Sequence, residues 1–270
     1  QLVGSFDLDG TPVTIDRDVQ IVGSGPLAGD TTVQVVKANG SSPGQAFIVT
    51  AGSVGFRDLA ITGADTRNKG GALQIDSGAS VTLERVHLYG NTADEGGAVY
   101  NAGTLTVDSS TFEANSSSRK GGGIESDGSL TVLNSTFTSN IGKGGGAISV
   151  AGTAALSFVT VVSNTSTNKI GAGILRNGVT VAVKNSIVAN NVAQTGDFHD
   201  CSGSPDFDSV LLSSDQRRVA DEPRQHRRRV IRREQLGVFL LHAGDAALSQ
   251  PQAFASQRQN TSAAAEHLIG

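Results

Sequence analysis

The residues of this chain best able to do chemistry are carboxylates: Asp94, Glu95, Asp108, Glu113, Glu125 and Asp127 lie close together in the sequence. Clustered acids of this kind can bind calcium or divide acid and base roles at a glycosidic bond. Glu84 and Asp108 hold equivalent places in successive stretches of similar sequence, which would make them close neighbours. Arg57 precedes them in the same place, and Asp58 beside it matches Arg85, a pattern that reads as charge pairing between stacked segments. Lys69, Glu95 and Lys120 alternate in the same way. His87 falls between two apolar positions of a strand-like stretch and is expected to face solvent. His199, Asp200 and Cys201 form a potential ligand trio, but a structural zinc site needs four ligands at recognisable spacing. The expectation is a loop with an unpaired thiol, and no catalytic, cofactor-binding or metal-binding residue is assigned.

The element that must position these side chains is a repeat. Gly70-Gly71-Ala72-Leu73 returns as Gly96-Gly97-Ala98-Val99, Gly121-Gly122-Gly123-Ile124, Gly145-Gly146-Ala147-Ile148 and Gly171-Ala172-Gly173-Ile174, at steps of 26, 25, 24 and 26 residues. A second cluster follows each copy: Leu88-x-x-Asn91, Phe112-x-x-Asn115, Phe137-x-x-Asn140, Val161-x-x-Asn164 and Ile187-x-x-Asn190. Self-similarity at a fixed period of this size marks a solenoid. Between the two lies a stretch alternating apolar, small and apolar, at 81–83, 105–107, 130–132, 156–158 and 181–183. That alternation is the period of a strand with one buried face, and no unit holds the longer amphipathic run a helical repeat needs.

Three short strands per unit, separated by Gly, Asn and Asp, predict one turn of a parallel β-helix. Two inward columns follow: Ile61, Leu88, Phe112, Phe137, Val161, Ile187, and Phe56, Leu83, Val107, Val132, Phe158, Val183. Asn91, Asn115, Asn140, Asn164 and Asn190 are expected to form a ladder at one corner, with Ala64 in the Asn place of the coil before. Gly78, Gly103, Gly128, Gly152 and Gly178 are expected to mark another corner with positive φ. Val13-Thr14-Ile15 and Val19-Gln20-Ile21 suggest a first, irregular coil. The fold class is therefore all-β: a single-stranded parallel β-helix of about seven coils, roughly 34 Å long at the ordinary spacing of paired strands.

Beside the inward columns, Ser80/Thr82, Thr104/Thr106 and Ser129/Thr131 predict a flat, two-wide row of hydroxyls, continued by Ala155/Ser157 and Thr180/Ala182. Thr82, Thr104, Thr106, Ser129 and Thr131 are the candidate glycan-contact face. The same array could match an ice lattice, although Ser and Thr are also ordinary outward residues of a strand.

The repeat ends near Pro205, dividing the chain into a β-helix domain at 1–205 and a non-repeat tail at 206–270. Residues 217–233 hold eight arginines. The tail is expected to be a basic linker, disordered or with a short capping helix around 238–248, or else a stretch translated out of frame. With no aromatic residue interleaved to stack on bases, and a net charge of −4 for the whole chain, no nucleic-acid partner is expected. The lone Cys201 cannot form an internal disulfide, and no apolar run is long enough to span a membrane. The chain opens at Gln1 and contains no Met, so a processed chain or part of a longer protein is expected.

The paired Gly-Gly-Ala-Ile-like and Phe-x-x-Asn-like clusters resemble the repeats of polymorphic outer-membrane proteins and autotransporter passengers. Asn101-Ala102-Gly103-Thr104-Leu105-Thr106-Val107 with Ser110-Thr111-Phe112 is similar to the β-helix repeats of large secreted bacterial proteins. The resemblance implies a right-handed helix, export to the cell surface or beyond, and a stalk or adhesin role contacting glycans or host and cell-surface proteins. It implies no enzyme and no cofactor. The alternative is a polysaccharide lyase or hydrolase with its site on the outer face, which would show a concave groove drawing three or more charged residues from adjacent coils.

Overall fold

The computed structural model describes residues 4–24, 31–35, 43–168, 170–177, 180–194, 200–203 and 205–212. Among them every element is a strand, and the strands pair in parallel from coil to coil. One sheet holds eight strands: Val13–Ile15, Phe47–Val49, Leu73–Ile75, Val99–Asn101, Ile124–Ser126, Ile148–Val150, Ile174–Arg176 and Cys201–Ser202. Seven steps separate eight strands, giving a stack about 34 Å tall at strand spacing.

A second, larger sheet contains two ten-residue strands, Ser53–Thr62 and Ser80–Tyr89. In later coils the same span divides, as in Thr104–Asp108 followed by Thr111–Glu113. The third sheet consists of five two-residue strands from Thr92–Ala93 to Val192–Ala193. The early segments belong to the same stack: Val19–Val22 pairs with Ser53–Thr62, and Ser5–Leu8 pairs with Thr32–Val35.

Stacking puts like side chains over like, and the interior is a set of apolar columns. Phe56, Phe112, Phe137, Leu83, Leu88 and Leu105 are fully buried. The Phe112 and Phe137 rings lie parallel with centroids 4.6 Å apart, so aromatic stacking adds to the burial of each ring.

The Asn ladder is continuous and buried. The backbone N–H and side-chain Nδ2 of Asn115 both donate to Asn140 Oδ1 at 3.0 Å, while Nδ2 also donates back to the Leu88 carbonyl at 2.9 Å. Asn91, Asn140 and Asn164 repeat the geometry, and the Ala64 N–H donates to Asn91 Oδ1. The last rung is Asn191, not Asn190. Asn191 is buried and bonded to Asn164, whereas Asn190 is exposed with φ +56°, in the left-handed place that Ala114, Ser139 and Ser163 hold before their own rungs. The same one-residue shift puts Val188 under Val161 in the inward column and leaves Ile187 40% exposed.

A second correction concerns the coil at 153–162. Leu156 aligns with Val132 and Val183, so 154–156 is the alternating stretch and Phe158 points outward, 61% exposed. The outward pair of that coil is therefore Thr153/Ala155. The glycine corner also works differently from expectation. Gly78 has φ +90°, but Gly103, Gly128 and Gly152 do not adopt positive φ. They are glycine because a Cβ on Gly128 would lie 2.0 Å from the Gly103 carbonyl oxygen, and one on Gly152 2.1 Å from that of Gly128. Positive φ belongs instead to Gly70, Gly96, Gly121, Gly145 and Gly171, at the head of each Gly-Gly cluster.

The stack runs past residue 205: Asp206–Asp208 pairs with Thr180–Lys184, and Leu211–Leu212 with Ile187–Ala189. The alternating Asp-Phe-Asp supplies one half-buried ring, Phe207, against the core, a strand too short to show in the repeat period. Gly178, His199, the arginine run and the expected capping helix lie outside the described residues.

Candidate functional site

The central residue of each strand in the eight-stranded sheet faces outward, and register places Gln74, Tyr100, Glu125, Ser149 and Leu175 in one column. Tyr100, Glu125, Ser149 and Leu175 are nevertheless buried. The turns that lead into the Gly-Gly clusters account for this. Residues 67–69, 94–95, 119–120, 143–144, 168 and 170 rise beside the sheet and make a trough with two concavities. One, of about 390 Å³, is bounded by Arg67, Asn68, Lys69, Gln74, Asp94, Glu95 and Arg119. The next, of about 280 Å³, shares Glu95 and Arg119 and adds Lys120, Lys143 and Leu175 among others.

The trough is polar and largely tied together. Lys69 Nζ donates to the Tyr100 hydroxyl at 2.8 Å and lies 4.0 Å over its ring centroid. The hydroxyl donates in turn to Asp127 Oδ2 at 2.5 Å. Burial, and then the Asp127 hydrogen bond, push the Tyr100 phenol above its usual range. For Lys69, burial works downward, but the bonds to Tyr100 and Glu95 outweigh it and hold the amine above its usual value. Glu95 joins neighbouring coils, with Lys69 Nζ at 3.3 Å and Arg119 Nη1 at 2.9 Å from its carboxylate oxygens. Its second partner is thus Arg119, not Lys120, the residue after it.

Glu125 differs from the rest. It is 4% exposed, and its Oε2 has no hydrogen-bond partner. Burial lifts its pKa to about 7; Ser149 and Lys120 oppose the shift, while Asp127 and Glu95 add to it. Beneath the trough therefore lies a buried carboxyl group whose pKa is raised to about 7, beside a phenol pinned between a cation and an anion.

The candidates named from sequence have other fates. Glu84 and Asp108 are in register but do not converge: Glu84 pairs with Arg85 and stands 3.8 Å from Arg57, while Asp108 accepts from Ser109 and Asn134. Asp58 receives Arg85 through two bonds, at 2.6 and 3.0 Å, which hold its carboxyl below the usual range. His87 lies outward and half-buried, its Nε2 3.0 Å from Glu113 Oε2. Asp200 and Cys201 are not a loop site. Asp200 Oδ1 accepts from Asn191, and Cys201 pairs with Ile174 in a strand, where burial and the adjacent Asp200 charge raise its thiol. Among the described residues no three His, Cys, Asp or Glu side chains gather as metal ligands.

Register brings Ser80, Thr104, Ser129, Thr153 and Thr180 into one outward column, and Thr82, Thr106 and Thr131 into the next, which then lapses to Ala155 and Ala182. The two concavities lie beside the eight-stranded sheet and take in none of these residues. The trough was missed because its floor residues share no type, and only the Lys69/Glu95 alternation pointed toward it.

Fold and trough together define a parallel β-solenoid that carries an open polar cleft on one outer face. The family model of the right-handed β-helix region matches residues 27–195, more than half of the chain, and the chain belongs to that family. Searches of curated proteins and of solved structures returned no match.

Proposed function

We propose that this chain is a non-enzymatic, rigid module of a secreted or cell-surface protein that holds a glycan along the trough of the eight-stranded sheet. The observation that carries the reading is the open trough itself, whose concavities present Gln74, Asp94, Glu95, Arg119 and Lys143 from adjacent coils above a buried column of phenol, carboxyl and hydroxyl (Tyr100, Glu125, Ser149) at strand spacing. Such walls offer convergent donors and acceptors to a chain of hydroxylated rings. The paired charges, Lys69 and Arg119 on Glu95 and Arg85 on Asp58, favour a preformed contact surface over a site that must neutralise its substrate. The regular stack suits such a role because each coil is fixed by its neighbours and the face moves little. Glycan-array binding that is lost in Arg119→Ala, a residue that lines both concavities, with no release of oligosaccharides, is the expected result; no binding on any array refutes it.

A second reading, polysaccharide cleavage, is favoured by Glu125. A carboxyl with its pKa raised to about 7, two residues from Asp127 and with charged residues of adjacent coils around it, has the titration that a general acid needs. New reducing ends that appear with wild-type protein and vanish in Glu125→Gln while binding persists would replace the first reading with this one.

A further inference from the structure

A column of left-handed residues turns the corner between the two halves of the large sheet: Asp58, Arg85, Ser109, Asn134, Phe158, Asn185 and Ser209, with φ between 48° and 57°. Six of the seven are polar. Short polar residues tolerate this backbone because the side chain can bond locally, whereas a bulky residue there is an outlier. Phe158 breaks the rule twice, since its ring is also 61% exposed, the largest exposure of any large apolar side chain among the described residues. Leu156 and Val159 serve the interior of this coil, so Phe158 contributes nothing to the core that would offset a disfavoured backbone. A residue that breaks local rules without a packing gain marks function.

The neighbours say what kind of partner fits. The backbone bonds from Asn134 to Ser157 and from Phe158 to Lys184 set Phe158 level with Asn134 on one side and Asn185 on the other. Both are exposed. Ser109 and Ser209 extend the column by one further step at each end. We infer that Phe158, with Asn134 and Asn185, forms a second carbohydrate contact, on a different face from the trough, for a neutral glycan chain lying along the solenoid axis. The ring covers the C–H face of one sugar, and the flanking amides meet hydroxyls of the sugars before and after it. A second protein molecule fits less well, because an interface core is a continuous apolar patch, and here one ring is set among amides and hydroxyls. An acidic or basic ligand has little to select it, since Asn134 already engages Asp108 and the only cation adjacent in the sequence stretch is Lys184.

The test is affinity electrophoresis of the full chain in gels containing soluble β-glucan, xylan or galactomannan. Wild-type protein is expected to be retarded in at least one gel. Phe158→Asn, which gives the corner a residue suited to left-handed φ, should unfold at the same or a higher denaturant concentration while retention falls about fivefold, the scale of one lost aromatic contact. Phe158→Trp should keep the retention. Retention undiminished in Phe158→Asn would belong to the trough and overturn the assignment, as would absence of retention by wild-type protein in all three gels. A wild-type dimer by light scattering that Phe158→Asn converts to monomer would also overturn it, by assigning the ring to a second copy of the chain.

Discussion

Replacing Glu125 by Gln should change the pH dependence of stability in a defined window. The carboxyl has an ordinary value of 4.5 and about 7 in the folded chain, where burial disfavours its charge. Between those values the folded state binds a proton that the unfolded state has released. Stability from this group is therefore complete below pH 4.5, falls as pH rises toward 7, and is lost above it. At about 1.4 kcal/mol per pH unit of separation, the loss amounts to about 3 kcal/mol. Glutamine keeps the shape of the neutral acid and does not titrate. The variant should match wild type near pH 4 and exceed it by about 3 kcal/mol near pH 8. Urea unfolding followed by circular dichroism at pH 4, 6 and 8 measures both curves, and their difference cancels the other titrating groups. Parallel curves through this window would show that Glu125 is charged and solvated when folded, and would remove the proton-bearing group from the trough.

Phe137→Ala should cost about 3–5 kcal/mol, because it empties a fully buried site and leaves the Phe112 ring without its stacking partner; denaturant melts measure it. Gly128→Ala should lower the unfolding midpoint although its φ suits any residue, since the new Cβ meets the Gly103 carbonyl oxygen at 2.0 Å. A neutral outcome there would mean the corner is looser than drawn. Asp200→Ala should cost about 1–3 kcal/mol by orphaning the Asn191 N–H and one of its two Nδ2 hydrogens, whereas Asp200→Asn keeps the acceptor and should be close to neutral. Equal losses in the two variants would show that the charge, not the acceptor, matters.

Much of the architecture could be read from the chain. Glycine pairs, Val/Leu/Phe alternation and Asn at steady steps each reflect a physical demand of one coil resting on the next. Misreadings arose where the sequence offers two residues of one kind side by side. Ile187-Val188 and Asn190-Asn191 fit the template equally well in either frame, and Leu156 and Phe158 are both apolar with the same parity. What separates them is three-dimensional: a rung must be buried with both neighbours in reach, and the residue before it must turn left-handed. Serine also hid a second ladder. Ser110 accepts from the Val86 N–H and Ser135 from the Ser110 N–H, but Val159 interrupts the series and a lone Ser per coil reads as surface. The trough was the least legible part, since Glu125 looks like any exposed strand acid until the turns beside it are in place.

The Asn ladder has a direction. Each side-chain oxygen receives N–H groups from the coil before, and each rung sends its backbone N–H and one Nδ2 hydrogen to the side-chain oxygen of the coil after. Ala64 enters the series with a backbone N–H and no side-chain oxygen to receive one, and Asp200 takes two donors without an amide to hand on. The described rungs thus run from a start that can only give to a stop that can only receive. Interior coils are in this respect interchangeable parts, so excising the stretch from one Asn to the next, such as 116–140, rejoins like with like and shortens the rod by one storey. Cutting away Asp200 instead removes the terminator and leaves the Asn191 N–H without its acceptor. The length of this surface can be edited from the middle, but not by trimming that end.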